Sequence, residues 1–182
     1  MHFYKTILIN CLLSCFSGLT LFSQTITETG KPDVLSYELM MKVDIDKKSF
    51  LGNVAIDFLT PPTTKEVVFD CGNLQIKGVT GKNVLHYIQK NKKIFISLKE
   101  GVEKENHVQI TYSGEPSHGI VFNLKSREIY TVFSTSQWMV CNDTPSDRAK
   151  FKIDLSISVD QLCVASGVLA NTTDEGSSIT YS

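Results

Sequence analysis

The stretch WMVCNDTPSDRAKF, residues 138–151, gathers the side chains best suited to chemistry: Cys141, Asp143, Asp147 and Arg148, beside Trp138 and Pro145. A cysteine nucleophile needs a base and a means of lowering the thiol pKa. The segment supplies carboxylates and a guanidinium but no histidine, so a nucleophilic Cys141 would depend on a His brought from elsewhere in the chain. A zinc site needs further Cys or His at ligand spacing, and these are absent here. The residue types favour a structural reading. Asp143-Thr144-Pro145-Ser146 is turn chemistry. Trp138, Met139 and Val140 supply apolar surface before the turn, and Asp147 and Arg148 can pair with each other or with backbone at a strand entrance. On this reading Trp138, Cys141, Asp143, Pro145 and Phe151 build a corner. Asp143 and Pro145 fix the turn, Trp138 and Cys141 fill the space under it, and Phe151 opens a core strand. Trp138→Ala should then cost about 3–5 kcal/mol. No catalytic, metal or ligand-binding residue is assigned.

The histidines beyond the leader are His86, His107 and His118. None has a second His three or four residues away, and none begins H-E-x-x-H. Surface or hydrogen-bonded roles fit His86 and His107, which sit in or beside strands. His118, in the loop GEPSHG, alone stays open as a site residue. G-x-S-x-G, P-loop and G-x-G-x-x-G patterns are absent. Eighteen Lys and Arg face 19 Asp and Glu, for a net charge of −1. No block of one sign stands out, which argues against a nucleic-acid partner.

These residues must be positioned by strands. Tyr37, Leu39, Met41, Val43 and Ile45 share one face. Glu38, Lys42 and Asp44 share the other, with Met40 the exception. Phe50, Gly52, Val54, Ile56 and Phe58 answer them across the turn at 46–49, so the pair reads as a long β-hairpin with one buried face. Pro61-Pro62 ends it. Further strands are predicted over 66–70, 74–79, 84–89, 94–98, 108–112, 120–122, 129–133, 162–165 and 179–181, with a polar turn over 171–178. The cleanest alternation runs through Phe151, Ile153, Leu155, Ile157 and Val159. No window supports a long amphipathic helix. The fold class is all-β: a saddle-like β-sandwich of antiparallel and mixed sheets.

The first 23 residues read as a signal peptide: a basic start, an uncharged apolar run over 6–22, and Ser23 as the small residue before Gln24. A retained anchor is the alternative, although the run is short and broken by Asn10, Ser14 and Gly18. Lipoprotein cleavage at Leu12-Leu13-Ser14-Cys15 is another. Residues 24–182 then form one exported domain, in the periplasm, the cell envelope or the medium. It keeps Cys71, Cys141 and Cys163, an odd number at wide spacing. That is no disulfide framework. One pair is possible, but buried free thiols are the simpler reading.

The corner also carries a family resemblance. Cys141, Asp143 and Pro145, followed by Ala149-Lys150-Phe151-Lys152-Ile153, resemble a motif in the N-terminal domain of the M1 zinc aminopeptidases, the group that includes aminopeptidase N and leukotriene A4 hydrolase. Val140 stands where that family usually has Pro. SYELMMKVDIDKKSFLGNVAIDF, VVFDCGNLQIKGVTGKN, VQITYSGEPSHGIVF and CVASGVL are similar to other family segments, in the same order. The resemblance runs from about Tyr37 to the end of the chain. It implies a β-saddle that packs on a separate catalytic domain bearing H-E-x-x-H, a downstream Glu and Gly-x-Met-Glu-Asn. None of those motifs occurs here. The resemblance therefore implies a non-catalytic domain, inactive alone, with zinc held only in a longer product. Its partners would be the catalytic domain of that protein and a peptide substrate. It also implies that the last hairpin is truncated at Ser182. The family's saddle lends the active site a Gln or Glu that meets the substrate's amino end. Counted back from Cys141, that position falls on Thr131, while Gln137 and Glu128 are out of register. The alternative functions are a free-standing envelope β-sandwich that binds a protein or glycan, and a small hydrolase using Cys141.

Overall fold

A computed structural model describes residues 31–100 and 104–182. The signal peptide expected over 1–23 lies outside the described residues. The chain is built almost wholly of strands: β1 (Asp33–Asp44), β2 (Ser49–Leu59), β3 (Glu66–Asp70), β4 (Gln75–Thr80), β5 (Val84–Lys90), β6 (Lys93–Leu98), β7 (Glu105–Gly114), β8 (Ile120–Asn123), β9 (Glu128–Thr131), β10 (Lys150–Ser158), β11 (Thr172–Asp174) and β12 (Ser178–Tyr181). A single 3-10 turn, Thr135–Gln137, is the only helical element among the described residues.

β1 and β2 pair antiparallel along their whole length, as their matched alternation requires. A bulge between Val34 and Ser36 shifts the register, which is why Val34 and Tyr37, three residues apart, both face inward. The hairpin lies inside a seven-stranded mixed sheet of order β11-β12-β10-β1-β2-β7-β4, in which only β1 and β10 run parallel. β3, β6 and β5 make a separate three-stranded sheet, and β8 with β9 a two-stranded one. The turn between β5 and β6 puts Asn91 and Lys92 both at positive φ, the conformation that suits a tight hairpin.

The core lies between the middle of the large sheet and the three-stranded sheet. Leu39, Val54, Ile56, Phe58, Val108, Ile110 and Tyr112 meet Val67, Phe69, Ile94, Ile96 and Leu98 in one buried cluster. The rings of Phe58 and Phe69 join the layers edge to face, 5.5 Å between centroids. The result is the expected all-β architecture of mixed and antiparallel sheets.

Three local expectations are corrected. Residues 162–165 form no strand. β10 is flanked by β1 and β12, so the segment has no free edge of that strand to join. Leu162, Val164, Val168 and Leu169 stand 64–97% exposed. The polar stretch 171–178 is not all turn, because β11 pairs there with β12. Phe151 does not open the strand, which pairs with β1 from Lys150 onward, and it is 50% exposed, not core. Three strands cannot cover seven, and β10 lies toward the end of the large sheet with less above it.

Candidate functional site

The corner gets its position from two directions. The 3-10 turn and residues 138–141 bring the chain beside β3, where Cys141 makes an isolated antiparallel bridge with Asp70: Asp70 N–H donates to the Cys141 carbonyl at 2.7 Å, and Cys141 N–H donates to the Asp70 carbonyl at 3.0 Å. Met139, Val140 and Cys141 are buried, and Trp138 is half-buried against the core. The Tyr112 hydroxyl reaches across to the Trp138 carbonyl at 3.2 Å.

Beyond Cys141 the chain turns sharply, and polar groups consume one another. Asn142 N–H donates to the Tyr37 hydroxyl at 2.8 Å, and its side-chain amide donates to Asp147 at 2.6 Å and to the Pro32 carbonyl at 3.3 Å. Asp143 accepts from Ser136 N–H at 3.2 Å, while its own N–H donates to the Asp70 carboxylate at 3.1 Å. Pro145 is exposed inside a turn closed by Asp147 N–H on the Thr144 carbonyl, 3.1 Å, where its fixed φ is suited. Asp147 also receives Val34 N–H of β1 at 3.4 Å, so it bonds backbone at the strand entrance and not Arg148. Lys31 bridges Thr144 at 3.0 Å and Asp70 at 3.2 Å.

This geometry leaves nothing poised to react. Burial pushes the Cys141 thiol well up, and the Asp143 and Asp70 carboxylates push it further. Burial also raises Cys71, to about 11. A thiol held protonated is no nucleophile. Among the described residues no imidazole is bonded to Cys141. His118 is exposed, with its Nδ1 3.2 Å from the hydroxyl of its neighbour Ser117. His86 meets Ser97 at 3.1 Å and His107 meets Asp57 at 2.7 Å, both on the surface. The three cysteines among the described residues are free thiols. Cys71 and Cys141 are buried, but Cys163 is half-exposed, against the expectation of burial for all. Among the described residues no group of three or more His, Cys, Asp or Glu is arranged to hold a metal ion.

Trp138, Cys141, Asp143 and Pro145 are thus brought together in one corner, while Phe151 lies beyond it on β10. Sequence reasoning missed Asp70, Tyr37 and Lys31, which tie the corner to the first strands. They lie 73–113 residues from their partners in the corner, and no local signal marks them. Thr131 is exposed at the end of β9, whereas Gln137 is buried.

A family model described as the peptidase M1 N-terminal domain matches residues 33–182. The chain belongs to this family. An M1 zinc metallopeptidase from Deinococcus radiodurans superposes with a TM-score of 0.74 at 19% identity, over 84% of this chain and 38% of that one. A mutant of it bound to a Tyr-Ser-Ala substrate gives a TM-score of 0.74 at 19% identity, over 83% and 38%. A two-domain M1 zinc metallopeptidase mutant bound to L-arginine gives 0.70 at 20% identity, also over 83% and 38%. At these identities the likeness is one of fold. The M1 N-terminal domain seen here spans 38% of the length of those chains. No match was found among curated proteins.

Proposed function

We propose that this domain is the non-catalytic N-terminal part of a longer, exported M1 zinc aminopeptidase-like protein, where it covers one side of the catalytic cleft. Removal of residues from a peptide's N-terminus would then rest on zinc ligands and a catalytic Glu outside this chain. The family match over residues 33–182 carries the reading. The corner supports it, because its polar side chains are spent on internal bonds. The basic, apolar and small-residue order of the first 23 residues supports export. The direct test is an immunoblot of the source cell's envelope and medium with an antibody to residues 24–182. A band much larger than this chain, carrying zinc and aminopeptidase activity, is the expected result. A band only at this chain's size would overturn the reading.

The exposed apolar side chains of residues 162–169 also suit a free-standing envelope module that binds a protein or glycan. That second reading predicts the small band, together with a stable monomer.

A further inference from the structure

The pattern Asn-x-Ser/Thr, with x other than Pro, occurs twice in the chain: Asn142-Asp143-Thr144 and Asn171-Thr172-Thr173. In an exported chain this triplet is the acceptor for an N-linked oligosaccharide, a bulky group that belongs on the surface. The fold treats the two copies differently.

At Asn142 the amide is consumed. Its nitrogen donates to Asp147 at 2.6 Å and to the Pro32 carbonyl at 3.3 Å, while its oxygen accepts the Thr144 hydroxyl at 3.1 Å. The residue is half-buried in the corner, and Pro145 follows the triplet. A sugar on that nitrogen would replace one of its two hydrogens. One of the two bonds would be lost, and a half-buried acceptor would be left unpaired.

At Asn171 the triplet is presented. Asn171, Thr172 and Thr173 are all exposed. They lead into β11, which pairs with β12 and forms one edge of the large sheet. The backbone is fixed there: Asn171 N–H donates to the Ser182 carbonyl at 3.2 Å, and Ser182 N–H donates to the Asn171 carbonyl at 3.0 Å. The strand period of two sets the side chains of residues 171 and 173 on one face. The Asn171 amide donates to the Thr173 hydroxyl at 3.3 Å. Amide and hydroxyl, the two groups that define the acceptor, stand side by side in water. Just upstream, Val168 and Leu169 are 92% and 64% exposed. An apolar run beside a sheet edge invites pairing with another chain, and a bulky hydrated group at the start of β11 would block that approach.

We propose that Asn171 is an N-glycosylation site and that Asn142, the same triplet locked into the corner, is not. The inference rests on export, one part of the functional reading above, and goes beyond it. The donor is a lipid-pyrophosphate-linked oligosaccharide, and the catalyst is an oligosaccharyltransferase of the export compartment. Asn171 Nδ2 attacks C1 of the first sugar. A C1–N bond forms, and the C1–O bond to the pyrophosphate breaks. Its electron pair leaves on the lipid pyrophosphate, and one amide proton passes to a base of the transferase. Where transfer precedes folding, a sugar on Asn142 would keep the corner from closing, so the folded product would not carry one.

The test is glycopeptide mass spectrometry on the folded product isolated from the source cell's envelope and medium. Trypsin cuts after Arg127, Arg148 and Lys152, so the two triplets fall on different peptides. The peptide that begins at Ile153 is expected to carry an oligosaccharide, and the peptide of residues 128–148 none. Asn171→Gln and Thr173→Ala should each abolish the added mass, while Thr173→Ser should keep it. An unmodified Asn171 in a product whose N-terminus is Gln24 would overturn the proposal and leave export standing. Sugar on Asn142 of the folded product would overturn the distinction between the two triplets. A product that keeps residues 1–23, stays in the cytosol and carries no sugar would remove both the site and the export reading.

Discussion

In β2, each second residue from Phe50 to Phe58 is buried, and Phe58 is 0% exposed. In β10 the same spacing leaves Phe151 half in solvent, Ile153 and Leu155 partly covered, and only Ile157 buried. Both strands alternate cleanly, and both pair on two sides. The difference is what lies above them. β2 is central in the large sheet and faces the three-stranded sheet, where Phe69 meets Phe58. β10 lies beyond β1, toward the short edge strands β12 and β11, and its own chain runs on into the exposed segment 162–169. Alternation reports that a strand has an apolar face; whether anything covers that face is decided by distant chain.

The sharpest way to break this comparison is paired truncation. Phe58→Ala should cost about 3–5 kcal/mol in urea unfolding, because it removes a fully buried ring that joins the layers. Phe151→Ala should cost under about 1 kcal/mol in the 182-residue chain. Similar losses at both sites would mean that β10 is covered after all. Trp138→Ala should fall between them, at about 2 kcal/mol, below the 3–5 kcal/mol that a core position would give. The ring is only half-buried, and its Nε1 meets no acceptor among the described residues.

Thiol labelling draws the same line without mutation. With iodoacetamide at pH 8 the half-exposed Cys163 should react first. Cys71 and Cys141 should lag by more than about a hundredfold, because they must wait for local opening. Peptide mass spectrometry over a time course reads the three sites separately. Early labelling of Cys141 would revive it as a reactive thiol.

The corner sets the limit of what sequence can show. Asp143-Thr144-Pro145-Ser146 announces a turn, and the structure has one there, because a turn depends on four neighbouring residues. The hairpin of β1 and β2 was equally plain, since its apolar face, turn and pairing lie within one short stretch. Asp70 gave no such sign. It ends an ordinary strand, yet its carboxylate receives Asp143 N–H and pairs with Lys31 at 3.2 Å and Lys93 at 3.9 Å. Phe133 was read only as the end of a strand, because its exposure and left-handed backbone are properties of the packed chain. Asp70→Ala tests whether the corner depends on this hidden member. It should cost about 1–3 kcal/mol, as the Asp143 amide loses its acceptor and Lys31 and Lys93 each lose one carboxylate contact. A loss under about 0.5 kcal/mol would mean that the turn residues hold the corner unaided.

The smallest effect is expected on the outer face of the covered strand itself. Asp57 lies between Ile56 and Phe58 but points the other way. It accepts the Ser36 hydroxyl at 2.8 Å and meets His107 Nδ1 at 2.7 Å, so it ties β2 to β1 and β7. Partial burial opposes its charge. The hydrogen bonds from His107 and Ser36, with the His107 charge, outweigh that and hold the carboxyl below its ordinary value. A carboxyl whose pKa is lower in the folded chain stabilises above the unfolded pKa, about 3.9, and the benefit is lost as pH falls through the folded value. The advantage of the native chain over Asp57→Asn should therefore be present at pH 5 and shrink from about pH 4 downward. Urea melts across that range would show it, and His107→Gln should flatten the slope. Both groups are partly in water, so screening keeps the effect well below that of Phe58. An advantage that stays constant down to pH 2 would show that the pair adds nothing to the fold. The inner face of β2 would then carry that strand's share of stability alone.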